Sequence, residues 1–166
     1  QHELRELTSS AQIRALQAQI RPHFLFNTLN VLSNLIHSDP RKAEDLTEEL
    51  ATVFRYTLDA TRTEWVTLED ELRFVTSYLR IEKARFEGRL GYFIDLEPQS
   101  KSVLIPPMIL QPLVENAVRH GIASRVEGGA VRLSAKSSAG RLMLVVEDSG
   151  SGLKSDGASD RQGIGL

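Results

Sequence analysis

Four polar side chains are spaced so that they share about two turns of one predicted helix. Glu115 and Arg119 are four residues apart, as are Asn116 and His120, and residues with that separation are neighbours on a helix surface. One interpretation is a solvated helix face with an ordinary ion pair. The other is a site for a magnesium-bound polyphosphate, in which oxygen ligands hold the metal and basic groups face the phosphates.

A second group of candidate residues follows a strand-like run near the end of the sequence. Asp148 precedes Gly150 and Gly152; a carboxylate there can accept a hydrogen bond from a ligand amine, and the glycines let the backbone approach a flat ring. Gly163 and Gly165 are suited to presenting N–H groups to phosphate. The alternative for Asp148 is a plain turn. Neither a Walker A loop nor the dinucleotide G-x-G-x-x-G fingerprint occurs.

The third candidate is a single histidine with an amide one helical turn away. His23 follows Pro22, and Asn27 lies four residues further on, which predicts that both side chains share a helix face. A neutral imidazole is a competent nucleophile near neutral pH. The alternative is an ordinary histidine at the surface or at the edge of a helical bundle.

Amphipathic helices are predicted to position His23. No glycine occurs before Gly88, Pro22 is expected to kink the chain, and Asp39-Pro40 to end one helix and begin the next. Thr67 with Asp70 predicts a helix N-cap. The predicted apolar stripes are Leu25, Leu29, Leu32, Ile36; Leu46, Leu50, Val53, Thr57; and Leu68, Leu72, Val75, Leu79.

The second half of the sequence predicts strands around one helix. Strands are expected at 92–96, 130–135 and 142–147, with a hairpin turn at 136–140, and a helix at 108–121. The fold class is therefore α+β, with a boundary near residues 87–89. The long helices suggest a bundle completed by a second copy of the chain.

Composition excludes several classes of function. The 166 residues contain no cysteine, which rules out disulfides, zinc–thiolate sites and cysteine nucleophiles. A formal net charge of −2 gives no electrostatic reason to bind nucleic acid. Position 1 is Gln1 and the sequence stops in a glycine-rich turn, so we expect a piece of a longer protein with an upstream sensor region.

Taken in order, these motifs resemble the catalytic core of the LytS-type sensor histidine kinases. Residues 17–30 (QAQIRPHFLFNTLN) resemble the phosphoacceptor box of that family, and residues 105–121 (IPPMILQPLVENAVRHG) resemble its N box. Residues 148–152 and 163–166 resemble its G1 and G2 boxes. Each motif alone is weak, whereas their joint order over nearly the whole chain is specific.

The resemblance implies a fold and a role for each matching residue. A helical dimerisation and phosphoacceptor region (1–87) would precede a Bergerat-type α/β sandwich of the GHKL class that binds ATP (88–166), short of its last elements. His23 would accept the phosphoryl group, Asn116 would coordinate Mg²⁺, and Glu115 would orient water or assist proton removal. The phosphates would be faced by Arg119 and His120.

The nucleotide base and the lid are assigned by the same resemblance. Asp148 would hold the adenine amino group, and a lid at about residues 151–162 would close the pocket. The lid is expected to be poorly ordered near 155–162 without nucleotide. The glycines that would shape pocket and lid are Gly150, Gly152, Gly163 and Gly165.

One position departs from the pattern of other histidine kinases, many of which carry an acidic residue directly after the histidine. Phe24 stands there, so a proton acceptor must lie elsewhere or be dispensable. Asn27 occupies the place where many such kinases keep a residue that positions water for phosphatase activity.

The implied function is autophosphorylation on His23 followed by transfer to an aspartate of a response regulator. The implied setting is the cytoplasmic part of a membrane-bound bacterial sensor that forms a homodimer through its helices. Two other functions stay open: a nucleotide-binding dimer that signals by conformation, and an ATP-gated clamp of the kind found in gyrase and MutL.

Overall fold

The computed structural model describes residues 22–122 and 126–150, which form a helical layer followed by a mixed sheet and a fourth helix. This arrangement confirms the predicted α+β class. In chain order the elements are α1 (Pro22–Ser38), α2 (Pro40–Ala60), β1 (Val66–Thr67), α3 (Leu68–Arg85), β2 (Leu90–Leu96), a 3-10 turn (Pro98–Ser100), β3 (Leu104–Ile105), α4 (Leu110–Gly121), β4 (Gly129–Ser138) and β5 (Arg141–Asp148).

The first helix boundary lies where the sequence predicts it. Asp39 is the N-cap of α2, its carboxylate accepts the Lys42 N–H at 3.2 Å, and Pro40 occupies the first helical position. Proline is favoured there because its missing N–H would have no intrahelical partner. The predicted kink at Pro22 involves the preceding residues, which lie outside the described part of the chain.

The ends of α3 follow from local chemistry as well. Thr67 Oγ1 accepts the Asp70 N–H at 3.1 Å, which confirms the predicted N-cap. After Arg85 the chain turns with positive φ at Glu87 (53°) and Gly88 (81°), and the Gly88 N–H donates to the Lys83 carbonyl at 3.0 Å. This bond closes a Schellman-type end, so the helix stops near Gly88 as predicted.

Strands β2, β4 and β5 form one sheet, in which β2 pairs parallel to β4 and β4 pairs antiparallel to β5. The predicted hairpin turn at 136–140 is too long, because residues 136–138 continue the ladder with β5. Only Ala139 (φ 49°) and Gly140 (φ 73°) turn the chain. Positive φ at both positions matches the twist of the flanking strands.

The inward face of α1 differs from the predicted stripe. Phe24 and Thr28 are buried, whereas Leu29 and Ile36, both in the stripe, are 48% and 56% exposed. The helix has two apolar faces, and periodicity alone does not say which one meets the rest of the chain. The exposed face, extended by Phe26, is uncovered among the described residues.

A single hydrophobic cluster runs through the described residues on both sides of position 88. It joins residues of α2 and α3, such as Val53 and Val75, to residues of α4 and β4, such as Val114 and Leu133. The domain boundary near 87–89 stays a prediction, and no interruption of the core marks it.

A buried carboxylate links three helices. Glu71 of α3 is fully buried; one of its oxygens accepts the Leu110 N–H at 2.9 Å and the other accepts the Met108 N–H at 2.9 Å. The second oxygen also accepts the hydroxyl of Tyr56 from α2. Burial, together with the Glu71 carboxylate, raises the pKa of Tyr56, so its hydroxyl keeps its proton and donates.

One of these bonds supplies a partner for the first N–H group of α4. Helix N-termini leave their first N–H groups without intrahelical partners and favour negative charge. The Glu71 carboxylate satisfies the N–H of Leu110, the first residue of the helix, and its bond to the N–H of Met108 holds the segment before the N-cap, where Met108 has a left-handed φ of 63°. The position and direction of α4 therefore depend on a side chain of α3.

No helix in the described ranges 22–122 and 126–150 is long and apolar enough to span a bilayer.

Replacing Glu71 by Gln tests this link. We expect the free energy of unfolding to fall by about 2–4 kcal/mol, because the amide nitrogen must face a backbone N–H or the tyrosine hydroxyl and leave buried donors unpaired. Urea denaturation measures the loss. The matched control is Glu69→Gln, which removes an exposed carboxylate two residues away; equal losses in both variants would contradict the role of Glu71.

Candidate functional site

A cavity between α1, α3 and α4 brings the predicted histidine to the predicted polar helix. Its volume is about 180 Å³. His23 of α1 lines it together with Glu115 and Arg119 of α4, so residues more than 90 positions apart in the sequence meet in one place. Its remaining lining residues are Phe24, Tyr78, Glu82, Arg85 and Val118.

Three larger clefts, two of about 580 Å³ and one of about 250 Å³, lie elsewhere among the described residues. None of the predicted site residues lines any of the three. We therefore place the candidate site at the smaller cavity, where the groups with suitable chemistry converge.

The neighbouring residue explains how His23 is held at the cavity. Phe24 is buried and its ring stacks on Tyr78 of α3, with centroids 5.2 Å apart. Thr28, also buried, donates to the Phe24 carbonyl at 2.8 Å. Phe24 therefore anchors α1 to α3, and this anchoring leaves the imidazole one position earlier at the exposed rim.

Asn27 contacts His23, as their spacing predicts. Its Nδ2 lies 3.2 Å from Nδ1 and 3.3 Å from Nε2 of the imidazole. The amide nitrogen is therefore about equally far from both ring nitrogens. In this position it can hold the ring or a small molecule approaching it.

The polar residues of α4 form two hydrogen-bonded groups. Arg119 donates to Asn116 Oδ1 at 3.0 Å and through Nε to His120 Nε2 at 3.1 Å. Gln111 donates to Glu115 at 2.8 Å. One residue of each group, Arg119 and Glu115, lines the cavity of His23.

Glu82 is a member of the cavity that sequence reasoning missed. It is 1% exposed, and its Oε2 lies 2.7 Å from a guanidinium nitrogen of Arg85. Burial raises the pKa of Glu82 to about 7; Arg85 opposes this shift and Glu115 adds to it. The sequence contained a signal for this burial, because Glu82 continues the apolar stripe Leu68, Leu72, Val75 and Leu79. A carboxylate in such a stripe is expected to be buried and paired with another group.

Asp148 ends β5 next to the C-terminal end of α4. Its Oδ1 accepts the Gly150 N–H at 2.8 Å, as in an Asx turn. A methyl group added at Gly121 would lie 2.6 Å from the Asp148 Cβ, and one at Gly150 would lie 2.5 Å from its Oδ1. Both glycines are therefore required for the close approach that fixes this exposed carboxylate.

The remaining predicted site residues, Gly152, Gly163 and Gly165, and the predicted lid lie outside the described residues. Within the described ranges no group of three or more histidine or acidic side chains could hold a metal ion by itself. A magnesium ion bound with a polyphosphate does not need one, because the phosphate oxygens and water supply most of its ligands.

Comparison with known proteins relates the chain to the histidine kinases. The family model described as "Histidine kinase" matches residues 11–90. Among histidine kinases, the chain is similar to the LytS type. It is 38% identical, over 152 residues and 91% of its length, to the "Sensor histidine kinase/phosphatase LytS" of Staphylococcus aureus strains MRSA252 and Mu50. The chain spans about a quarter (26%) of those curated relatives.

Gly121→Ala tests the close packing that fixes Asp148. We expect the free energy of unfolding to fall by about 1–3 kcal/mol, because Asp148 or the end of α4 must move to admit the methyl group. Chemical denaturation measures the change. Gly91→Ala is the control, since a methyl group there meets its nearest neighbour at an ordinary 3.5 Å; a variant at Gly121 as stable as that control would contradict the packing argument.

Proposed function

We propose that the chain is the ATP-dependent kinase core of a two-component sensor, which autophosphorylates on His23 and passes the phosphoryl group to an aspartate of a response regulator. The observation that carries the proposal is the cavity in which His23 meets Glu115 and Arg119. The names of the curated relatives, which are sensor histidine kinases, also support the proposal. Their name says nothing of a particular regulator.

The residues of α4 fit a magnesium-bound nucleoside triphosphate. Asn116 offers an amide oxygen, Glu115 a carboxylate, and Arg119 a guanidinium within hydrogen-bond distance of that amide. Mg²⁺, when bound, neutralises charge on the phosphates. Asn116 would hold the metal, while Arg119 and His120 would bind phosphate oxygens and orient them toward the histidine.

The other end of the nucleotide would lie against Asp148. Its carboxylate is exposed and fixed by the Gly150 N–H and the close contact with Gly121. An acceptor of this kind suits the amino group of adenine. Because α4 carries Gly121 at one end and the polar residues along its length, one helix would align base and phosphates, which is most of what phosphoryl transfer requires.

His23 would act as the nucleophile. Its ring lies at the rim of the cavity and is held by Asn27, so the imidazole is exposed and oriented at once. The helix α1 that carries it has an exposed apolar face formed by Phe26, Leu29 and Ile36. A second copy of the chain would cover that face, which gives the homodimer expected for this family, in the cytoplasmic part of a bacterial membrane sensor.

Two alternatives are less well supported. A dimer that binds nucleotide and signals only by conformation does not need a nucleophile beside the polar helix. An ATP-gated clamp accounts for α4 and the sheet but not for His23 and its contact with Asn27.

Replacing His23 by Gln tests the kinase directly. Incubation of the intact protein with radiolabelled ATP and magnesium is expected to give an acid-labile, base-stable label. The label should be lost in His23→Gln, while nucleotide affinity changes less than about twofold, because the imidazole forms the bond and does not hold the base.

His37→Gln is the matched control. It changes an exposed histidine at the other end of α1, and its label should equal that of the wild type. A wild type without label, but with nucleotide bound, would favour the signalling dimer instead.

A second activity is favoured by the contact between Asn27 and His23 and by the phosphatase named in the curated relatives. We propose that Asn27 orients the water that removes phosphate from the partner aspartate.

Asn27→Ala should slow dephosphorylation of the regulator about 10-fold or more, with a smaller effect on autophosphorylation. Release of radiolabelled phosphate from the phosphorylated regulator measures it. Asn34→Ala on the same helix is the control, and an unchanged rate in Asn27→Ala would refute the role.

A further inference from the structure

The cavity of His23 holds a buried carboxylate to which the kinase function has so far assigned no role. Glu82 is 1% exposed and lines the cavity opposite the histidine-bearing helix. Its Oε2 is ion-paired with Arg85 at 2.7 Å, yet no hydrogen bond reaches that oxygen within the described part of the chain. A buried acceptor without a hydrogen bond is costly to maintain, so its place in the cavity that His23 also lines calls for a chemical explanation.

Phosphorylation of a histidine ring requires a proton acceptor. When one ring nitrogen bonds to phosphorus, the ring becomes cationic unless the other nitrogen loses its proton. The residue directly after the histidine, Phe24, is buried and apolar. The Asn27 amide contacts both ring nitrogens, but a carboxamide does not take up a proton near neutral pH.

The charged and titratable groups that face Glu82 come from all three helices around the cavity. They are His23 from α1, Tyr78 and Arg85 from α3, and Glu115 and Arg119 from α4. Glu115 is already held by Gln111 and adjoins the proposed magnesium ligand. Glu82 is the carboxylate whose pKa, about 7, lies close to that of an imidazole, and such a match favours proton transfer.

We propose that Glu82 is the proton acceptor of His23, an inference that rests on the proposed kinase function. One ring nitrogen of His23 gives its lone pair to the terminal phosphorus of a nucleoside triphosphate. The phosphorus–nitrogen bond forms, the phosphorus–oxygen bond to the diphosphate breaks, and that electron pair leaves on the diphosphate oxygen. The proton of the other ring nitrogen crosses the cavity to the Glu82 carboxylate, which becomes a carboxylic acid. Arg85 favours the ionised form of the carboxylate beforehand.

The test compares the intact wild type with Glu82→Gln across the neutral pH range. The wild-type autophosphorylation rate should rise with pH through an inflection near 7, because protonated Glu82 cannot accept a second proton. At about pH 8 the variant should be roughly 10- to 100-fold slower and should lack that inflection, with unchanged nucleotide affinity. Glu44→Gln, on the exposed surface of α2, should keep the wild-type profile.

A second measurement needs no variant. In an NMR titration of the wild type without nucleotide, the side-chain carboxyl carbon of Glu82 should report an inflection near 7. An inflection of that carbon in the range of an ordinary exposed carboxyl group would overturn the proposal even if Glu82→Gln failed to fold.

The outcomes separate this inference from the kinase function. A wild type without label on His23 overturns both. A labelled wild type whose pH profile survives in Glu82→Gln overturns the proton acceptor alone. A uniform loss of rate at every pH also overturns it, because that pattern indicates a structural role.

Discussion

The structure depends on one buried carboxylate. Glu71 lies inside the helical layer, and its two oxygens accept the first N–H group of α4, the N–H of Met108 just before that helix, and the hydroxyl of Tyr56. A charge without solvent persists in a protein interior only when its acceptor positions are filled, and here three donors fill them. The helix that carries the candidate site is therefore placed by the helical layer and not by the sheet alone.

Helix α4 serves both halves of the proposed reaction. Its middle faces the cavity of His23 through Glu115 and Arg119, and its end at Gly121 contacts Asp148. Because an α-helix is rigid over such a length, a shift of α4 would move the base-binding and phosphate-binding groups together. In the proposed reaction, the position of His23 relative to that helix would decide whether transfer occurs, and the stacking of Phe24 on Tyr78 holds α1 in place.

Local chemistry made much of this predictable from sequence. Asp39-Pro40, Thr67 and the N-box pattern mark their helices because caps and proline act within a few residues. The inward face of α1 was not predictable, since both of its faces are apolar and only the tertiary partner chooses between them. Glu71 was not found because its backbone partners, at Met108 and Leu110, are distant in sequence. Glu82 could have been found, since it continues the apolar stripe of α3. The roles proposed for the nucleotide-binding residues come from the family resemblance. The structure adds the information on which of these residues contact one another.

The continuous core across position 88 has a consequence for exchanging parts between related sensors. A fragment that began at residue 88 would leave Glu71 behind, and the apolar residues of α4 and β4 would lose their neighbours on α3. In a chimaera joined at that point, α4 of one protein would have to pack against α3 of another protein. A junction upstream of α1 keeps the interlocked helices together and leaves only the incoming signal to be matched.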